Sequence, residues 1–237
     1  MATEPISNNI QTVHLNKDSL DIDYVYELST LLNQFCELIK KKNIYLIPTT
    51  SEFSLYRKLN PEKQRAIYDG FLAYYTGCLG ALNSGAHLDD DRTLALWVLK
   101  SLNWRFHPDL FGHLTKNDVI EIYNKDSVQI FRTFNFFNLI SYTLEEILCY
   151  EWWELYRRPE FIQKELVTQG TRILEKKVEE TLFNFAPNHE VEEIFSVKRN
   201  IAEISEKLVS PPYLPSGQIT GFIHAFEIVN VRPAHPN

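Results

Sequence analysis

Cysteine is scarce in this chain and its spacing is uninformative. Three cysteines occur in 237 residues. Cys36, Cys78 and Cys149 are scattered, each in an apolar context. Without a CxxC pair, a zinc site built on cysteine is disfavoured. An odd number of thiols in apolar contexts fits a reducing compartment. No HExxH or HxH pair is present, and no G-x-S-x-G elbow, so the common zinc-peptidase and elbow-hydrolase signatures are missing. No run of 18 apolar residues suits a membrane span. The first 23 residues contain no apolar stretch of a secretory signal. A cytoplasmic protein with no membrane partner is expected. The net charge is −7 and the sequence pI about 5.5, so a basic footprint for direct nucleic-acid binding is lacking. The short basic runs Lys40-Lys41-Lys42, Arg157-Arg158 and Lys176-Lys177 read as helix ends and solvated faces. Internal repeats and low-complexity segments are also absent.

Aromatic rings, by contrast, are abundant, with 15 Phe and 12 Tyr. Such rings fill cores and line small-molecule pockets. Residues 1–20 are polar, lack periodicity and read as a loose tail. A first helix begins near Asp21–Asp23 and ends at Lys40–Lys42, with Tyr24, Leu28, Leu31, Leu32, Phe35 and Leu38 on one face. Asn60-Pro61 opens a second helix reaching about Leu82. Gly70, Gly77 and Gly80 within it permit close packing, including against a second copy, so a homodimer is an expectation. A third helix covers about Asp90 to Asn103. Residues 21–104 therefore read as a helical region.

Strand chemistry takes over after Pro108. Asp118–Tyr123 and Ser127–Phe134 form a hairpin about Asn124-Lys125-Asp126. Short helices follow at about Leu144–Tyr150 and Trp153–Tyr156, then one long helix from Pro159 to about Thr181. Extended runs at Glu190–Lys198, Ile201–Val209 and Gln218–Val231 close the chain. The order is β-β-α-α-α-β-β-β, an α+β protein.

One stretch, Ser141 to Glu160 (SYTLEEILCYEWWELYRRPE), carries the densest pattern. Thr143 and Glu146 make a capping box, and Tyr142 stands where a residue can staple against Ile147. The segment Ser141-Tyr142-Thr143-Leu144-Glu145-Glu146-Ile147-Leu148-Cys149, followed by Trp152, Trp153 and Pro159, resembles a PAS domain. Two glycines of that family's pattern are replaced, by Ser141 and Cys149. The terminal LPSGQITGFIHAFEIVNVRP, with Gly217 and Gly221, is similar to the last PAS hairpin. The resemblance covers about residues 115–232. It implies a five-stranded antiparallel sheet at 110–232 with a long helix across it. It also implies a sensory or interaction role: binding a small ligand or a protein partner and passing the signal on. The candidate pocket wall is Phe131, Phe134, Phe137, Trp152, Phe161, Phe195 and Phe226, with Arg132 or His224 anchoring a polar group. The flavin-type Gly-x-Asn-Cys-Arg-Phe motif is missing, and residues 159–181 hold no histidine for haem, so the cofactor is unknown.

Other constellations compete. His87 and Asp89–Asp91 with His107 and His113 have ligand-type side chains, but their spacing matches no common site and no metal is assigned. Asp89–Asp91 at a helix start is explained by the helix dipole. Cys78 has no base beside it. His224 and Glu227 could form an acid–base pair in a cone-like α+β enzyme that binds hydrophobic small molecules. Their odd separation sets them on opposite faces of a strand. Adjacent Trp152 and Trp153 cannot both enter a core from an extended segment, so Trp153, with Tyr156, is read as an interface. The reading favoured is a regulatory ligand- or partner-binding module. The alternatives are the cone-like enzyme (hydrolase, isomerase or cyclase type) and a structural adaptor.

Overall fold

A computed structural model describes residues 23–107, 109–175, 180–195 and 199–234. The expected loose tail, the Lys176-Lys177 pair and the end of the strand at Lys198 lie outside these residues. The fold is α+β, with N-terminal helices and a curled antiparallel sheet.

Local chemistry accounts for the helices. α1 (Tyr24–Ile39) starts where the Asp23 carboxylate accepts from the Val25 and Tyr26 N–H groups. α2 (Pro61–Asn83) starts at Asn60, whose side chain accepts from Lys63 N, with Pro61 in the first turn. α3 (Asp91–Ser101) is capped by Asp90 through Thr93 N. Each cap satisfies amides that a helix start leaves orphaned. The glycines of α2 serve packing within the chain. A Cβ on Gly77 would stand 2.7 Å from Val98 Cα, and one on Gly70 3.1 Å from Ile130. α2 thus lies close against α3 and the sheet, which gives these glycines a role that needs no second copy.

The sheet contains β1 (Asp118–Asn124), β2 (Gln129–Arg132), β3 (Tyr156–Arg157), β4 (Leu182–Phe183), β5 (His189–Glu193), β6 (Asn200–Ser210) and β7 (Gly221–Pro233). The path is β2-β1-β7-β6-β5-β3, with β4 beside β6, and every pairing is antiparallel. The five expected strands are present, joined by the two-residue β3 and β4. Register shifts interrupt β1–β2 once and β6–β7 twice. Such bulges bend a sheet and raise its twist, which curls this one. Close approach matters at Gly221, where a Cβ would collide with the Tyr123 carbonyl.

Strand alternation gives the sheet two different faces. Ile120, Ile122, Phe131, Ile223 and Ala225 join the buried cluster of α1–α3. Tyr74 of α2 meets Phe131 with ring centroids 5.0 Å apart. One continuous apolar cluster therefore links the helical region to the sheet. The opposite face carries Glu121, Tyr123, Arg132, His224 and Phe226, and α5 (Trp152–Leu155) and α6 (Glu160–Leu174) lie on this side, whereas α4 (Leu144–Cys149) packs against the 44–58 segment.

The Ser141–Glu160 stretch ties these parts together. Its capping box is formed: Glu146 N donates to Thr143 Oγ1 (3.1 Å) and Thr143 N to Glu146 Oε2 (2.7 Å). Glu145, fully buried, accepts from the N–H groups of Thr50, Leu55 and Tyr56 at 2.7–2.9 Å and pins the 44–58 segment to α4. Tyr142 donates to Leu155 O and accepts from Ile194 N. No helix among the described residues is long and apolar enough to cross a membrane.

Candidate functional site

The curled sheet, the Phe134–Asn138 turn, α5 and α6 enclose a cavity of about 200 Å³. Most of its wall is apolar: Phe136, Leu139, Ile140, Trp152, Val191, Ala202, Ile204, Phe226 and Ile228 among others. Trp153 and Val167, each about 40% exposed, stand at the mouth.

Charged side chains gather on one wall. Arg132, 2% exposed, lies on β2 opposite Glu121 of β1 and pairs with it through Nη2. Its Nη2 also donates to Tyr123 Oη (3.0 Å). With the Gln129 carboxamide turned to satisfy its neighbours, its oxygen accepts from Arg132 Nε at 2.7 Å. The Arg132 guanidinium lies 4.1 Å from the Phe136 ring centroid, a favourable cation–π arrangement. His224 of β7 is the register partner of Glu121. Its Nε2 is 2.6 Å from Glu206 Oε2 on β6 and its Nδ1 3.3 Å from Glu121 Oε2.

Burial and charge set the protonation states. Burial pushes the His224 imidazole down, but Glu206 and Glu121 override it and lift the pKa to about 9. His224 is thus an imidazolium at neutral pH, donating from both nitrogens. Burial raises the Glu121 carboxyl, but Arg132 and His224 override it and hold it down to about 2. Burial likewise lowers the Arg158 guanidinium, although arginine stays charged in proteins. His189, at the start of β5, is lowered by burial. Its Nδ1 donates to Pro187 O, which turns Nε2 toward Glu206 at 3.6 Å.

The predicted wall divides. Arg132, Trp152, His224 and Phe226 line the cavity. Phe131 does not, because alternation turns it to the helix layer. Phe134 and Phe137 pack on Phe35 of α1 in that same layer. Phe161 is 63% exposed on α6. Phe195 is exposed and stacks on Tyr150. Trp153 and Tyr156, expected at an interface, both line the cavity, Trp153 exposed at its mouth and Tyr156 buried. The premise for Trp153 was an extended segment, whereas 152–155 is a helical turn that sends both indoles to the same chamber. Arg157 is solvated as expected and pairs with Glu192. Arg158 departs from that expectation, facing the cavity with its guanidinium 4.8 Å from the Trp152 ring. Glu227 pairs with Lys207, away from His224, as their odd separation requires.

Glu121, Tyr123, Phe136, Arg158 and Glu206 were missed by sequence reasoning. Two left a signal: Glu121 and Glu206 are carboxylates inside apolar strands. Glu206 falls in phase with the inward-facing Ala202 and Ile204. The other constellations are dispersed. Asp89 pairs with Lys42, Asp90 caps α3, and Asp91 is buried accepting from Phe134 N. Among the described residues, no group of three or more His, Cys, Asp or Glu side chains is placed to hold a metal ion. Cys78 is buried, and burial pushes its thiol up, away from the reactive thiolate.

No family model matches the chain, and no curated protein matches it.

Proposed function

We propose that this chain is a regulatory ligand-binding module: a small amphipathic molecule occupies the chamber, and the occupied state is passed to another protein. One observation carries the reading. Three polar atoms of the chamber's own side chains, Arg132 Nη1, Tyr156 Oη and Arg158 Nε, are buried without a hydrogen-bond partner. Buried polar groups are ordinarily satisfied, and leaving one unmade costs about 1–3 kcal/mol. A convergent polar end in an apolar chamber is the usual form of a small-molecule site. Gly170 agrees with this reading. It sits inside α6, where glycine costs ~1 kcal/mol against alanine, and nothing lies within 4 Å of where its Cβ would be. The space it leaves belongs to the chamber. The PAS-like sensory reading of the sequence is supported by the five main antiparallel strands and by α6 lining the chamber.

Trp152, Trp153 and α6 are the route outward, since they contact the chamber and reach the surface. Native mass spectrometry of the protein purified from its own host tests the proposal. The expected spectrum shows a small molecule bound to the wild-type chain and lost from Gly170→Leu, which fills the space. A bare chain in both spectra counts against the proposal.

A second reading, a cone-like α+β enzyme, is favoured by the His224 imidazolium held at the chamber wall. Such a group can donate a proton to a bound substrate. Turnover of the co-purified molecule, abolished in His224→Gln, would establish the enzyme reading over the sensory one.

A further inference from the structure

We infer that the chamber's ligand is a flat monoanion, an aromatic carboxylate, whose head group is read by Arg158. This inference rests on the ligand-binding reading above and specifies the ligand's chemistry.

Charge pairing on the polar wall is the first ground. Glu121 is engaged by Arg132 and His224, and Glu206 by His224. Arg158 has no ion-pair partner among the described residues. Its Nη1 has one long contact, 3.5 Å to Gln163 Oε1, and its Nε has none. Two of the wall's three cations, Arg132 and His224, are thus matched by Glu121 and Glu206, and Arg158 is left without a carboxylate of its own among the described residues. A third lining carboxylate, Glu193, is turned aside: its oxygens accept from Ser141 N, Ser141 Oγ and Asn200 N at 2.7–2.8 Å.

The unsatisfied atoms give the second ground. All three on the cavity-lining side chains of this wall carry hydrogens to donate: Arg132 Nη1, Tyr156 Oη and Arg158 Nε. Tyr156 is held in its neutral, proton-bearing form, because burial raises its phenol. Arg132 and Tyr156 are respectively 2% and 8% exposed, so neither donor is served by bulk water. A cationic ligand would leave these three donors unserved and meet the like charge of Arg158. A carboxylate offers two acceptor oxygens in the plane that suits an arginine fork. A phosphate dianion would bring two charges against the one unmatched guanidinium.

Shape gives the third. Rings of Phe136, Trp152, Phe222 and Phe226 line the chamber. Faces and edges of that kind favour a flat ring over a flexible chain, and about 200 Å³ suits a bicyclic body.

Calorimetric titration of the full chain at pH 7.5 with 2-naphthoate, 2-naphthamide and 2-naphthylmethylammonium tests the inference. The expected result is naphthoate binding at least tenfold tighter than the isosteric amide, with no binding of the cation. Arg158→Gln should bring naphthoate and naphthamide within about twofold of each other, and Arg158→Lys, which keeps the charge without the fork, should retain part of the preference. Equal affinities for naphthoate and naphthamide in the unmodified protein would overturn the carboxylate inference and leave the ligand chamber standing. A preference that survives in a folded Arg158→Gln would overturn the role of Arg158. Failure of all three compounds to bind at millimolar concentration would overturn the chamber itself, and the inference with it.

Discussion

Replacing Glu121 with Gln keeps the shape of the polar wall and deletes the charge at its centre. Glu121 is 7% exposed and Arg132 2%, so water cannot compensate the arginine once its partner is neutral. Removing one member of a buried ion pair typically costs 3–5 kcal/mol. The proton balance of the same group gives a second figure. A carboxyl held down to about 2, against an ordinary 4.5, corresponds to ~3 kcal/mol at ~1.4 kcal/mol per tenfold change. The two figures agree, so Glu121→Gln should lose ~3 kcal/mol at pH 7. With a urea slope of ~3 kcal/mol/M for a chain of this size, the midpoint should fall by about 1 M. The pH sets a second condition. A depressed carboxyl contributes its full stability above 4.5 and loses it as pH falls from 4.5 toward 2. The gap between wild type and variant must therefore narrow in acid. Glu121→Gln with Arg132→Met should recover much of the loss, because the buried Arg132 charge is removed together with its partner. A single-variant loss below about 1 kcal/mol at pH 7, or a gap that stays constant down to pH 3, would refute this account of the wall.

Three further outcomes are expected. His224, lifted to about 9 from an ordinary 6.5, contributes stability that is fully present below pH 6.5 and is lost as pH rises through 9. That loss is up to ~3 kcal/mol, and alkaline melts of His224→Gln should lack the decline. Asp91 is raised by burial to about 6 from 3.8. The folded chain holds that proton more tightly than the unfolded one, so stability falls by up to ~3 kcal/mol between pH 3.8 and 6, a slope that Asp91→Asn should remove. Gly77→Ala puts a Cβ 2.7 Å from Val98 Cα, and overpacking of that kind costs about 1–3 kcal/mol. Its melting temperature should drop despite the gain in helix propensity, whereas Gly170→Ala, with open space around the Cβ, should raise it.

Much of the architecture is legible in short-range chemistry. The caps at Asn60 and Thr143 mark two helix starts to the residue, and the acidic residues at 21–23 and 89–91 mark two more to within a few residues, because capping is a local competition for orphaned amides. The hairpin at Asn124 and the three terminal strands are equally readable. The faces of the strands are not. Ile130 is an extra residue opposite the β1 step from Ile122 to Tyr123. This bulge brings Gln129 and Arg132, three apart, onto the same side. The shift beside Lys207 has the same effect on Glu206 and Val209. Strict alternation cannot anticipate either. The aromatic wall was overdrawn for a related reason: ring content does not say which layer a ring enters, so Phe131, Phe134 and Phe137 went to the helix side. Arg158 was hidden by its neighbour, since an Arg-Arg pair before a helix reads as solvated until the fold turns one of the two inward.

On the proposed function, a small molecule touching Arg158 occupies the chamber between the curled sheet and α6. An electron-density map of the protein as purified from its own host tests it most directly. Compact, flat density is expected among Phe136, Trp152 and Phe226, with an edge within hydrogen-bonding distance of Arg158 and Tyr156. A chamber closed by rearranged Trp152 and Trp153, with Arg158 turned out to solvent and nothing bound, would contradict it.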